Sequence, residues 1–305
     1  MKFVVIGGAG FIGSHLVDKL DKFGKVIIVD DLSTGCVENV PNHIVQKNDV
    51  SYLNQKTYEI LLDADYVFYL AAKARVQPSI ENPLPYHRVN VNGLLNVLEA
   101  LRNNKNLIKF VYSSSSSVYG EQVQFPVNEI AQKNPSSPYA LQKLIGEQYI
   151  RLYADLYDVP AVSLRYFNVF GNRMPQEGAY MLLIGKWINL IKQKKPIEIN
   201  GDGNQQRDFT FVGDVVRANM MAANSEACAG VAFGDAFNIG GGNPLSVNQV
   251  ADIFEKVTKC DRIYKPPVIE PYKTHADISL AKETFGWEPE TRLEDWLPIY
   301  LEREL

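Results

Sequence analysis

Gly7, Gly10 and Gly13, spaced as GxxGxxG between the apolar run Phe3-Val4-Val5-Ile6 and an amphipathic stretch from Phe11 to Phe23, constrain this chain more than any other feature. A short β-branched run reads as a buried strand, and apolar residues at helical spacing read as a helix. Glycines at the junction permit a tight turn, let the backbone approach a ligand and let the helix pack closely on the strand. The helix then directs its free N–H groups and the positive end of its dipole at the turn, which suits a pyrophosphate. The next strand, Val26-Ile27-Ile28-Val29, ends at Asp30. A carboxylate there accepts hydrogen bonds from ribose hydroxyls and repels a 2′-phosphate, so the expected dinucleotide is NAD and not NADP.

The alternation continues. Tyr66-Val67-Phe68-Tyr69-Leu70 and Phe110-Val111-Tyr112 read as buried strands, with the five serines Ser113 to Ser117 following the second. Between them Val91, Leu94, Leu95, Leu98 and Leu101 fall near the 3.6-residue period, and a second long helix runs from about Tyr139 to Tyr157, with Leu144, Ile145 and Tyr149 on one face. Continuous apolar strands separated by amphipathic helices mean an α/β fold, a doubly wound parallel sheet covered on both faces. After about Arg165 the rhythm breaks, and glycine and proline gather in INGDGNQQRDF and NIGGGNPLS. A smaller mixed α/β domain interleaved with the end of the sheet is expected there. The expected division is 1–167 plus 208–239 for the dinucleotide domain and 168–207 plus 240–305 for the substrate domain.

The formal net charge of -4, with both signs scattered, gives no general pull toward nucleic acid or acidic membranes. No apolar run is long enough to span a bilayer, and the apolar start MKFVVIGGAGFIG lacks a basic leader, so a cytoplasmic protein is expected. Cys36, Cys228 and Cys260 are few and far apart, with no metal-ligand spacing, so neither a disulfide framework nor a metal site is expected.

Tyr139 and Lys143 form YxxxK, four apart and so on one helical face. A free phenol ionises near pH 10, too high for a base at neutral pH. A nearby ammonium and an oxidised nicotinamide would stabilise the phenolate and draw that value down. A hydroxyl from YSSSSSVYG can hydrogen-bond a substrate oxygen and pass a proton.

Taken in order, GGAGFIGSH, VDDLSTG, YLAAKARVQPS, NVNGLLNVLEA, SSSSSVYG, SPYALQK, LRYFNVFG, GDGNQQRDF and HADISLAK span essentially the whole chain. Together they resemble the NAD-dependent epimerase/dehydratase family, of the extended short-chain dehydrogenase/reductase type with a Rossmann-type sheet, and most closely its UDP-glucose/UDP-galactose 4-epimerase group. The resemblance implies Ser115, Tyr139 and Lys143 as the catalytic set. It implies NAD contacts from Gly7, Gly10, Phe11, Ile12 and Gly13, then from Asp30, Asp31, Ser33, Thr34 and Gly35. Asp49 and Val50 follow at the adenine end, then Leu70, Ala71, Ala72 and Ala74, and finally Asn90, Ser113, Tyr139, Lys143 and Tyr166. Substrate contacts are implied for Ser115, Ser116, Ser117, Tyr139, Asn168, Arg207 and Thr274. Dehydratases and decarboxylases of the family carry acids at one or both positions held here by Ser116 and Ser117, which argues for chemistry confined to carbon 4 of the sugar.

Three positions depart from the family pattern. Pro267 stands where a second arginine is usual, with Lys265 or Lys273 as possible substitutes; Ile269 stands at a glycine and Ile6 at a threonine. Thr274 occupies the position that gates sugar size, and its modest bulk leaves N-acetylated sugars open. The expected function is NAD-dependent 4-epimerisation of a UDP-hexose through a 4-keto intermediate. A UDP-N-acetylglucosamine or UDP-glucuronate 4-epimerase, a nucleotide-sugar 4-ketoreductase and a non-catalytic nucleotide sensor are the alternatives. The long helices at about Leu84 to Asn103 and Tyr139 to Tyr157 resemble the pair that forms a homodimer interface in the family.

Overall fold

The computed structural model describes residues 1–176, 182–224, 234–268 and 270–305. Cys228 and Ile269 lie outside them. Six strands, β1 (Lys2–Ile6), β2 (Lys25–Asp30), β3 (Val45–Lys47), β4 (Tyr66–Tyr69), β5 (Lys109–Ser115) and β6 (Ala161–Tyr166), join Ala236–Ile239 in one sheet. Its spatial order is 236–239, β6, β5, β4, β1, β2, β3, and every pairing is parallel. The chain starts in the middle, winds to one edge through β2 and β3, then returns to build the other from β4. The order therefore reverses between β1 and β4, and a crevice opens there at the carboxyl ends of the strands.

Alternate residues of each strand serve opposite cores. Phe3 and Val5 of β1 pack with Leu16 and Leu20 of α1 (Phe11–Leu20) and Val215 of the helix Val212–Ala223. Val4 and Ile6 pack on the other face, in a core with Leu61 of α2 (Gln55–Leu62), Leu94 and Leu98 of α5 (Gly93–Leu101), and Ile150 of α6 (Pro138–Tyr157). A third core, with Trp187, Ile197, Ile199, Phe254 and Leu297, belongs to the smaller mixed α/β part built from residues after β6.

Two local expectations are revised. The first three serines of the run are the end of β5 itself, and only Ser116 and Ser117 begin the following 3-10 turn. Ladder bonds to β6 carry the strand on to Ser115, paired with Tyr166. The expected helix from Leu84 is α4 (Pro83–His87), a five-residue π turn Arg88–Asn92 and then α5, a wide turn of the kind that re-aims side chains at functional sites. Short α3 (Val76–Glu81) precedes α4.

Candidate active site

The strand ends open into a cleft of about 1120 Å³. Its first wall is the glycine turn. Gly7 has φ 82°, and a Cβ there would lie 2.6 Å from Ala71 N; one on Gly13 would lie 2.1 Å from Gly7 O. An added Cβ at Gly10 meets Gly7 O at 3.3 Å and otherwise enters the cleft. Gly10 is the N-cap of α1 and has no side chain to cap it, so the first-turn N–H groups are left for the cleft. A helix N-terminus entered through glycines, with its N–H groups left for the cleft, fits a dinucleotide pyrophosphate.

Asp30 closes β2 inside this wall. Its carboxylate accepts the N–H groups of Ala9 (3.0 Å) and Leu32 (2.9 Å), and burial pushes its pKa up. Asp31, Ser33 and Thr34 continue the wall, as do Val50, Leu70, Ala71, Ala72 and Ala74. Gly35 stands behind it, where a Cβ would lie 2.9 Å from Asp30 Oδ1. Asp49 also lies off the cleft, its Oδ1 held by the N–H (2.8 Å) and hydroxyl (2.7 Å) of Ser51, while its neighbour Asn48 lines the cleft. Asn90 is buried out of reach: its amide accepts from Lys73 N (2.8 Å) and donates to Lys73 O (3.0 Å) and Gln142 Oε1 (2.9 Å). It holds the loop after β4 from behind. The carbonyl of Ile6 accepts the N–H groups of Leu70 and Ala71, joining β1 to that loop.

At the middle of the cleft, Ser115 ends β5 and Tyr139 is the second residue of α6. The helix starts there because Ser137 caps Ala140 N (3.2 Å) and Pro138 fits the first turn. Tyr139 N also donates to Ser79 Oγ of α3 (3.1 Å). The Tyr139 phenol is hydrogen-bonded to Ser115; burial pushes its pKa up, and that bond works against the rise. Lys143 donates to Ser113 O (2.6 Å) and sits 4.9 Å above the Tyr112 ring. Burial pulls its pKa down to about 7, opposed by the negative Glu147. The expected lowering of the phenol is therefore not met by the protein alone, because desolvation dominates at Tyr139 and the Lys143 amine is turned to the Ser113 carbonyl. Tyr166, its hydroxyl 3.0 Å from Ser113 Oγ, completes this region. Ser116 and Ser117 line the cleft, and Ser117 Oγ is buried without a hydrogen-bond partner among the described residues.

The far end gathers Asn168, Arg207 and Thr274. Asn168 Nδ2 donates to Asp208 O (3.0 Å) and Thr274 Oγ1 (3.3 Å). Arg207 pairs with Glu270 at 2.9 Å. Of the cations considered for Pro267, Lys265 lies 3.8 Å from Glu198 and Lys273 sits 5.0 Å from the Phe125 ring centroid, and neither lines the cleft. Lys186 does, 2.7 Å from Glu198, which also lines it. Sequence reasoning missed Lys186, Glu198 and Glu270. Glu198 alternates with buried Ile197 and Ile199, a signal that it faces away from their core. Nothing local marks Lys186.

The volume exceeds an ordinary small-molecule pocket of about 300–1,000 Å³ and suits a dinucleotide and a second ligand end to end. Where they meet stand a phenol, a hydroxyl and an amine, groups able to move a proton on and off an oxygen while a hydride moves on carbon.

Residues 3–240 match the NAD dependent epimerase/dehydratase family. A putative UDP-glucose 4-epimerase of Methanocaldococcus jannaschii is 40% identical over 298 residues, covering 96% of this chain and 94% of its own. Among solved structures, a UDP-N-acetylglucosamine 4-epimerase from Methanobrevibacter ruminantium M1, in complex with UDP-N-acetylmuramic acid, superposes with TM-score 0.90 at 36% identity, over 99% of this chain and 96% of that one. A UDP-glucose 4-epimerase from Thermotoga maritima with UDP-glucose gives TM-score 0.90 at 36% identity, over 99% and 98%. With the glycine cradle, the YxxxK pair and the sheet order on one scaffold, this chain belongs to the NAD-dependent epimerase/dehydratase family of enzymes.

Proposed function

We propose that the chain is an NAD-dependent 4-epimerase of UDP-hexoses that interconverts UDP-glucose and UDP-galactose through a 4-keto sugar. The observation that carries this reading is the meeting of Ser115, Tyr139 and Lys143 at the middle of the cleft, with serines and not carboxylates at 116 and 117. Bound NAD supplies the acceptor and donor of the hydride. Tyr139 takes the proton of the sugar's 4-hydroxyl and later returns it, and Ser115 holds the same oxygen. Lys143, one turn along α6, orients the cofactor ribose, and the positive charge of the oxidised nicotinamide, when bound, favours the phenolate. Arg207 and Asn168 keep the nucleotide anchored while the flat keto sugar turns its other face. The cycle is redox-neutral, so NAD stays bound. Similarity to UDP-sugar 4-epimerases supports the reading.

A second sugar is favoured by one observation. Thr274 lines the cleft with a side chain of modest bulk, its Oγ1 held by Asp208 N (3.0 Å), and a small residue at this position is what an N-acetylated sugar would need. The test is purified protein without added reductant, incubated in parallel with UDP-glucose, UDP-N-acetylglucosamine and UDP-glucuronate, followed by separation of the 4-epimers. Conversion of UDP-glucose without net NADH change is expected. Conversion of another sugar alone would move the substrate, and conversion of none by NAD-loaded protein would overturn the epimerase reading.

The proposal extends to a homodimer. Leu141, Leu152 and Leu156 of α6 and Leu84 of α4 are exposed (48%, 46%, 60% and 79%), an apolar surface of the kind that subunits bury. A monomer mass by light scattering at micromolar protein would remove it.

A further inference from the structure

The glycine-dense run at 240–242 and the aspartate beside Arg207 have no part in the chemistry above, yet they meet. Asp208 is 0% exposed. Its Oδ1 accepts the N–H groups of Gly241 (2.7 Å) and Gly242 (3.0 Å), and its Oδ2 accepts Ala276 N (2.8 Å). A Cβ on Gly240 would lie 2.4 Å from Ala276 Cβ and 3.0 Å from Asp208 Oδ2; one on Gly241 would lie 2.1 Å from Phe209 O and 3.1 Å from Oδ1. Only glycines let this loop close around the carboxylate. The backbone of the same residue faces the other way: its N–H donates to Thr274 Oγ1 (3.0 Å) and its carbonyl accepts Asn168 Nδ2 (3.0 Å). Asn168 Nδ2 reaches Thr274 Oγ1 as well (3.3 Å). Three segments distant in sequence, at Asn168, at Gly241–Gly242 and at Thr274–Ala276, thus close on one residue that does not itself line the cleft, while Asn168, Arg207 and Thr274 around it all do.

We propose that Asp208 is a positioning residue for the nucleotide sugar: its carboxylate, seated in the Gly240–Gly242 loop, fixes the separation of Asn168, Arg207 and Thr274 across the substrate end of the cleft. The proposal rests on the nucleotide-sugar reading and adds a residue that acts through those three. Backbone N–H dipoles stabilise a buried carboxylate only while all of them stay aimed at it, so the seat is intolerant of displacement. Burial already pushes this pKa up to about 6 against those N–H bonds. The cofactor cradle and Tyr139 lie on other elements, so loosening the seat acts on substrate binding and leaves the proton and hydride steps in place.

Asp208→Asn keeps the shape and sets an amide N–H against backbone N–H donors. Steady-state kinetics of the NAD-loaded variant should show KM for the nucleotide sugar raised about 10- to 30-fold, the scale of one lost charged hydrogen bond, with kcat within about threefold. Bound NAD per chain should be unchanged. Equal loss in kcat and in kcat/KM, or a chain that no longer holds NAD, would show a carboxylate that merely supports the fold and would overturn the assignment. Thr274→Val is the independent arm, since it keeps the seat and removes only the oxygen held by Asp208 N and Asn168. A KM rise of about 3- to 10-fold is expected there, and an unchanged KM would also overturn the proposal. Calorimetric titration of each NAD-loaded protein with UDP needs no turnover. Wild type that fails to bind UDP refutes the nucleotide-sugar reading, whereas wild type that binds as tightly as D208N refutes the role of Asp208 alone.

Discussion

The buried ion pair that joins α6 to β6 gives the most demanding stability prediction. Glu147 lies one turn beyond Lys143 on α6, and Arg165 lies on β6, with side chains 8% and 5% exposed. Arg165 Nε donates to Glu147 Oε1 at 2.9 Å and Nη2 to Oε2 at 2.7 Å. Arg165 Nη1 adds Tyr119 OH (2.7 Å) and Glu129 O (3.2 Å), and Ser114 Oγ donates to the Glu147 carboxylate. Glu147→Gln leaves the guanidinium buried without its counter-charge, which costs about 3–5 kcal/mol. Because the amide oxygen still accepts one N–H, the lower figure is expected, a large share of a total stability of about 5–15 kcal/mol. Replacing both residues with methionine removes both charges together. Tyr119 OH keeps Asn238 Oδ1 (2.6 Å) and only Ser114 Oγ is left without its acceptor, so the double variant should lose about 1–2 kcal/mol. The assay is urea unfolding followed by fluorescence, with every variant at the same excess of NAD, since bound ligand raises apparent stability. Glu147→Gln costing under about 1 kcal/mol, or a double methionine variant less stable than Glu147→Gln, would refute the reasoning.

Three further outcomes follow from the site. Tyr139→Phe should lower kcat by about 10²- to 10⁴-fold with bound NAD unchanged, measured by turnover and cofactor absorbance; intact turnover would remove Tyr139 as the base. Lys143 titrates at about 7 in the folded chain and near 10.5 unfolded, so between those values the unfolded chain binds more protons and stability rises with pH. NAD-free wild type should therefore gain on Lys143→Met by up to about 1.4 kcal/mol per pH unit from pH 7.5 to 9, and a constant difference would show that the amine is not desolvated. Gly13→Ala forces a methyl to 2.1 Å from Gly7 O, an overpacking of about 1–3 kcal/mol at the cradle. The purified variant should carry little NAD, and full occupancy would mean that the turn relaxes freely.

The parts of the molecule legible in the sequence are those built from near neighbours. Gly7, Gly10 and Gly13 announce a strand–turn–helix because all three constraints fall within seven residues, and the burial of β1 on both faces follows from its continuous apolar run. Tyr139 and Lys143 are recognisable because one helical turn brings them together whatever surrounds them. The apolar run alone ends the strand at Tyr112 and leaves Ser113 to Ser115 beyond it, whereas pairing with Leu164, Arg165 and Tyr166 carries β5 on through these polar residues. The π turn at Arg88–Asn92 likewise leaves no local mark, since the apolar spacing of α5 continues past it.

Asn90 and Asp49 show why the site itself was less legible than the fold. Both are polar residues beside the cofactor wall, and chain position does not separate one that faces the cleft from one that faces backbone. Asn90 is engaged by Lys73 and Gln142, 17 and 52 residues away, and Asp49 by Ser51, so neither carries its side chain into the cleft. At the substrate end this ambiguity becomes general. Arg207 meets Glu270, Lys186 meets Glu198, and Asp208 meets Gly241 and Ala276, at separations of 63, 12, 33 and 68 residues that no periodicity encodes. A dinucleotide is gripped largely by backbone at strand ends, which the strand–helix alternation already places. The sugar end is shaped by side chains from separate segments whose spacing a buried carboxylate sets. An expectation of NAD therefore reads directly from Asp30 and the glycine turn in the sequence, whereas sugar choice depends on tertiary contacts and has to be sought in variants of Asp208 and Thr274.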